Sequence, residues 1–215
     1  TLYATERDKL NLEYVKENEK GIISDKQATN FITYQELESF VNNVKMDIDN
    51  DRQTHMVFAI LNFLIYRPLR NDLAGVRLMT PTMFKNLKEE EKTECYIISQ
   101  GTKLTFYCNQ FSTTKTRPQE ILEVQGRPRI ELQRYMKKYD IRSGDIIFDM
   151  SKNAMTQLLI RTSQKYIQKN ISTTMIRKIV SSHKFLESKE EQEAHSLSIG
   201  HSVAVDNLIY VKKKQ

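Results

Sequence analysis

The longest apolar stretch of this chain runs from Met56 to Tyr66, is broken by Asn62, and stops at Arg67-Pro68. It falls short of the roughly 20 residues that a membrane span requires, so no membrane partner is expected. A residue preceding proline is pushed out of helical geometry, and the spacing therefore predicts a helix from Asp51 to about Tyr66. Upstream, Thr33 suits an N-cap and Glu36 completes a capping box. Leu37, Phe40, Val41 and Val44 follow at helical spacing. A third helix is expected to start near Arg70. Helical patterns return over Pro128–Tyr139, Ala154–Gln168, Thr173–His183, Glu190–Ile199 and Val203–Tyr210.

The centre of the chain reads differently. Cys95–Ser99 and Leu104–Cys108 are β-rich runs divided by the turn signal Gln100-Gly101-Thr102. Ile121–Val124 is a third run, reached through the polar stretch Asn109–Pro118, and Asp145–Phe148 reads as a short extended piece. The expected class is α+β: mainly helical, with a small antiparallel three-stranded sheet inserted after the first three helices. Residues 1–26 are polar and charge-alternating and are expected to form an exposed, partly helical arm or linker, with one domain over 27–215. A chain of 215 residues can bury a core without disulfides or metals. Its two cysteines are too few for a disulfide framework or a metal cluster. No signal peptide is visible and the chain starts at Thr1, so an excised piece of an intracellular protein is expected.

Charge is unevenly spread. The net charge of +6 hides −4 over residues 1–50, +1 over 51–100 and +9 over 101–215. A basic C-terminal half suits a polyanion, nucleic acid above all, although a merely solvated basic surface has the same composition. No P-loop, GxGxxG, HExxH or paired CxxC is present, which takes support from nucleotide-driven and zinc chemistry. His55, His183, His195 and His201 show no ligand spacing, and neither metal nor cofactor is expected.

What remains is a scattered set of polar residues. Arg70 lies in Pro68-Leu69-Arg70-Asn71-Asp72-Leu73, and Lys115 in Thr113-Thr114-Lys115-Thr116-Arg117 between two expected strands. Arg177 follows Thr174-Met175-Ile176, and Gly200-His201 precedes Tyr210 by nine residues from the histidine. Taken singly, Tyr210, Arg70, Lys115 and His201 have ordinary readings: a surface or core tyrosine, a solvated arginine, a turn lysine, a histidine at a helix boundary. Taken jointly and in order, they resemble the tyrosine recombinase (phage integrase) family over about Asn30 to Tyr210. In that family an arginine on a helix, a β-hairpin lysine, His-x-x-Arg, Gly-His and a tyrosine nine residues later occur in this order. The phrase Pro-Leu-Arg-Asn-Asp is similar to integrase-like proteins of large eukaryotic DNA viruses and their satellites.

The resemblance implies a DNA breaking-rejoining catalytic domain over 27–215 that cuts and rejoins strands through a 3′-phosphotyrosine, without metal or ATP. It implies Tyr210 as nucleophile, Arg70, Arg177 and His201 as donors to the phosphate oxygens, and Lys115 as general acid, with Lys103 as its rival. It also implies a partner, double-stranded DNA, and a homotetramer on DNA for the full-length protein. A monomer is compatible with this stretch, and its location would be that of its target DNA, a host nucleus or viral factory. The chain departs from the family at the box-two histidine, where Thr174 stands with Lys178 nearby. Threonine is no base, which leaves His201, a substrate oxygen or water to take the proton of Tyr210. Type IB topoisomerase-like relaxation and a catalytically silent DNA-binding relative are the alternatives.

Overall fold

The computed structural model describes residues 29–88, 90, 92, 94–108 and 120–184. Helix α1 (Tyr34–Met46) starts at the expected capping box: Thr33 Oγ1 accepts from the Glu36 amide at 3.2 Å, and Glu36 Oε2 accepts from the Thr33 amide at 2.6 Å. Helix α2 (Arg52–Tyr66) is capped by Asp51 and ends where Arg67 turns extended before Pro68. Every residue from Val57 to Leu64 is buried, two full turns with no solvent-facing side. A helix apolar on all sides has to lie inside the fold. α2 accordingly forms its centre, in contact with α1, α4 (Gly126–Lys138), α5 (Lys152–Ile167) and α6 (Thr173–Lys184). One continuous core runs through these helices to the sheet. Among the described residues no helix is long and apolar enough to cross a membrane.

The α+β class holds, but the sheet has four strands rather than three. β1 (Arg77–Met79), β2 (Cys95–Gln100), β3 (Lys103–Cys108) and β4 (Glu120–Val124) lie in that order, and β1 runs parallel to β2. The other two pairings are antiparallel as expected. Parallel neighbours need a crossover, and the chain supplies one through the short helix α3 (Pro81–Lys85). Three residues are too few for an alternating pattern, so β1 is silent in the sequence. Its free side pairs with the expected extended piece through Arg77 and Ile146. Ile97, Leu104, Phe106 and Val124 face the core, with Phe63 and Phe106 rings 5.4 Å apart. Tyr96 and Tyr107 face the other way, under Phe84 of α3.

The helix expected near Arg70 is absent. Leu69 N–H donates to Arg67 O at 2.7 Å, Ala74 N–H to Asn71 O at 3.1 Å and Val76 N–H to Leu73 O at 3.2 Å, which makes a run of tight turns. Asn71 and Asp72 favour turns, and Gly75 adopts φ +75°, where a side chain would be strained. Gly75 N–H then donates to Phe148 O, so the segment is committed to the sheet instead of to a helical ladder. The expected helices 190–199 and 203–210 and the arm 1–26 lie outside the described residues.

The cysteines, set aside on their number alone, are bonded to each other. Antiparallel register puts Cys95 directly opposite Cys108 with Cα atoms 4.1 Å apart, and the structure joins them in a disulfide. Two side chains on one face at such a pair are within bonding reach, a coincidence that spacing in the chain cannot reveal. A cross-link at a separation of 13 residues restricts the unfolded chain by about 3 kcal/mol. Dithiothreitol should therefore lower the urea midpoint of the wild type and leave that of Cys95→Ser/Cys108→Ser unmoved.

His55 is a structural histidine. It is fully buried where α2 meets α4, both ring nitrogens lack a hydrogen-bond partner, and Tyr135 and Tyr139 meet its ring edge-on at 5.4 and 5.6 Å. Burial pulls its pKa below the ordinary value of 6.5, helped by Lys138 and Arg134 and opposed by Asp49. The folded state thus holds the neutral ring, and the unfolded chain binds the extra proton below about pH 6.5. Stability should fall between pH 7.5 and 5.5, above the range in which the carboxylates protonate. The check is the urea midpoint at both pH values, and the difference should shrink in His55→Phe.

Candidate active site

Arg70 projects from the turn segment between α2 and β1 and is half-buried. Its neighbours hold that segment down: Leu69, Asp72, Leu73 and Val76 are all buried. Asn71 Nδ2 donates to Thr156 Oγ1 on α5 at 2.9 Å, and Thr156 Oγ1 donates to Lys152 O at 3.3 Å. Asn71 Oδ1 is buried without a partner, an arrangement that costs roughly 1–3 kcal/mol. In the sequence Asn71 and Asp72 stand out only as part of Pro68-Leu69-Arg70-Asn71-Asp72. Their burial and anchoring are visible in the fold alone.

Arg177 comes from α6. Ile176 N–H donates to Ser172 O and Met175 N–H to Ser172 Oγ, which starts the helix. Ile176, Ile179 and Val180 enter the core, fastening α6 against α2. Arg177 is only 2% exposed and Lys178 only 7%, whereas Thr174 is exposed. Residues three and four apart share a helix face, which puts Thr174 on the same side of α6 as both cations, nearer the helix start. A guanidinium is seldom buried unless its charge is matched. Arg177 is thus a buried cation and not a solvated surface side chain.

The two rival lysines separate by register. Lys103 opens β3, and its ammonium pairs with Glu123 Oε2 at 2.7 Å, both side chains being solvent-exposed. That hydrogen bond holds the Glu123 carboxyl below its usual range. Lys115 lies outside the described residues, in the connection 109–119. The ends of that connection, Cys108 and Glu120, are paired with each other, and Cys108 is paired with Cys95. β1 enters the sheet beside them, with Arg77 opposite Tyr96. The segment carrying Arg70 and the connection carrying Lys115 thus leave the sheet from one end. Lys103 sits at the other end, about 17 Å away along β3.

His201 and Tyr210 also lie outside the described residues. Of the described tyrosines, Tyr34, Tyr135 and Tyr166 are all shifted away from ionising. Burial raises each of them, and for Tyr166 the hydroxyl's 2.6 Å hydrogen bond to Asp47 adds to the effect, pushing it up to about 12. Such phenols are poorly prepared to act as nucleophiles.

No protein-family model matches the chain, and no curated protein matches it. Among solved structures it is similar to the XerH site-specific recombinase, determined as a post-cleavage complex with a palindromic difH substrate, at 13% identity and a TM-score of 0.48. The match covers 85% of this chain and 49% of the other, so the chain spans about half the length of that protein.

Proposed function

We propose that the chain is the catalytic part of a tyrosine-type site-specific recombinase, an integrase of the kind found in large eukaryotic DNA viruses and their satellites. The observation that carries the reading is the shared sheet end, from which the Arg70 segment and the Lys115 connection both leave, together with a buried Arg177 one helical turn from the box-two position. The double-stranded DNA partner, the tetramer of the full-length protein and a site of action in a nucleus or viral factory belong to the same proposal.

The chemistry follows from the residue types. The Tyr210 oxygen attacks a backbone phosphorus, a P–O bond to the phenol forms, and the bond to the 5′ oxygen breaks. The ester energy is kept in the 3′-phosphotyrosine, so a 5′-hydroxyl from another strand can reverse the step. The five-coordinate transition state places extra negative charge on the non-bridging oxygens. Arg70 and Arg177 offer planar forks of donors matched to them, with His201 as a further donor. Fixed donors in a dry site contribute several kcal/mol each. Lys115 gives its proton to the departing 5′ oxygen. The proton of Tyr210 goes to His201, a substrate oxygen or water, because Thr174 cannot accept it, and Lys178 is the cation beside that vacant role.

The test is incubation with nicked suicide DNA in EDTA, in which a short 5′ product diffuses away. A covalent protein–DNA band supports the reading, and its absence supports the silent DNA-binding relative. Strand exchange between paired sites then separates recombination from type IB relaxation.

A further inference from the structure

We infer that the Asn71–Thr156 hydrogen bond is a positioning device for Arg70, and that Thr156 on α5 is a positioning residue of the reaction. The inference rests on the recombinase reading given above. Arg70 stands on a run of turns, so no helical ladder holds its backbone in place. The peptide on its C-terminal side belongs to Asn71, whose amide reaches 85 residues along the chain to Thr156. Thr156 spends its own proton on Lys152 O, and its oxygen lone pairs are thereby left to accept from Asn71. α5 contributes no residue to the expected catalytic set. Through this bond it nonetheless holds the residue next to a catalytic arginine.

The unpaired Asn71 Oδ1 makes a purely structural role a poor account of the pair. An apolar side chain of similar shape would fill the same space without burying a lone acceptor. What such a side chain lacks is direction. A hydrogen bond fixes both the distance and the angle of the turn relative to α5, and misplacing a catalytic group by about 1 Å can slow a reaction about 100-fold.

The experiment measures the single-turnover rate of adduct formation on suicide DNA, half-saturation for DNA, and the urea midpoint. Thr156→Val should slow the rate roughly 10- to 100-fold with half-saturation unchanged, and Thr156→Ser should restore it. Asn71→Leu should be slowed alike while unfolding at a urea concentration no lower than the wild type. Combining Asn71→Leu with Thr156→Val should add no further loss, since both remove one bond. Thr162→Val, which loses a hydroxyl bonded only within α5 to Leu158 O, should react at the wild-type rate. A Thr156→Val rate equal to wild type overturns the inference. So does a loss that follows the urea midpoint and is not restored by serine. If wild type itself forms no adduct, it is the recombinase reading that fails and the inference falls with it; an active wild type with indifferent variants rejects the inference alone.

Discussion

Tyr210→Phe should form no covalent adduct on suicide DNA, while its urea midpoint and DNA affinity stay near those of wild type. The substitution deletes one oxygen, the atom that would become bonded to phosphorus, and leaves the ring in place. Without a nucleophile the barrier reverts to direct attack by water on a phosphodiester, so the expected loss exceeds the range of a gel assay. Tyr135→Phe, Tyr139→Phe and Tyr166→Phe serve as controls. Tyr166 is bound to Asp47 and pushed up to about 12, and Tyr135 is buried against His55, so losing either hydroxyl should leave the adduct intact. An adduct at the wild-type level in Tyr210→Phe would move the nucleophile elsewhere and remove the basis of the proposed mechanism.

Lys115→Ala should be slowed about 10²–10⁴-fold on ordinary DNA and largely restored on DNA whose bridging 5′ oxygen is replaced by sulfur. A thiol is a far stronger acid than an alcohol, so the thiolate can depart without a proton and the general acid becomes dispensable. The role proposed for Arg177 is a different one, to meet charge on the non-bridging oxygens, which the sulfur leaves untouched. Arg177→Lys should therefore be impaired on both substrates. Lysine is chosen over alanine because the side chain is only 2% exposed, and truncation would open a cavity; the urea midpoint checks that the variant folds. Lys103→Ala should react at the wild-type rate on both, since Lys103 pairs with Glu123 at the far end of β3. Rescue of Lys103→Ala instead, with Lys115→Ala unimpaired, would assign the acid to the wrong end of the sheet.

These tests draw on different layers of information. The capping box at Thr33, the stop at Arg67-Pro68, the turn at Gly101 and the stripe Leu37–Val44 were legible in the sequence and stand in the fold. Each depends on residues within a few positions of one another, where side-chain chemistry acts directly on the adjacent backbone. The candidate residues stood out as an ordered set of types, the donors and acids that phosphoryl transfer would ask for, and Lys115, His201 and Tyr210 among them lie outside the described residues. Their surroundings were not legible. The same Pro-Leu-Arg-Asn-Asp phrase suggested a helix, and Gly75 with its bond to Phe148 made it a run of turns.

The sequence by itself therefore determined a mainly helical α+β chain and, within the described residues, its main helices and hairpin, and it offered the side chains on which the proposed chemistry rests. Only the tertiary structure decided that β1 joins the sheet in parallel, that Cys95 meets Cys108, that Arg177 is buried while Thr174 is exposed, and that Thr156 holds Asn71. Each of these depends on register or packing between segments 13 to 85 residues apart or on which part of a helix the rest of the fold covers. Such contacts form only when the whole apolar surface is buried together around α2, and no local pattern of residue types encodes which distant partner that burial will supply.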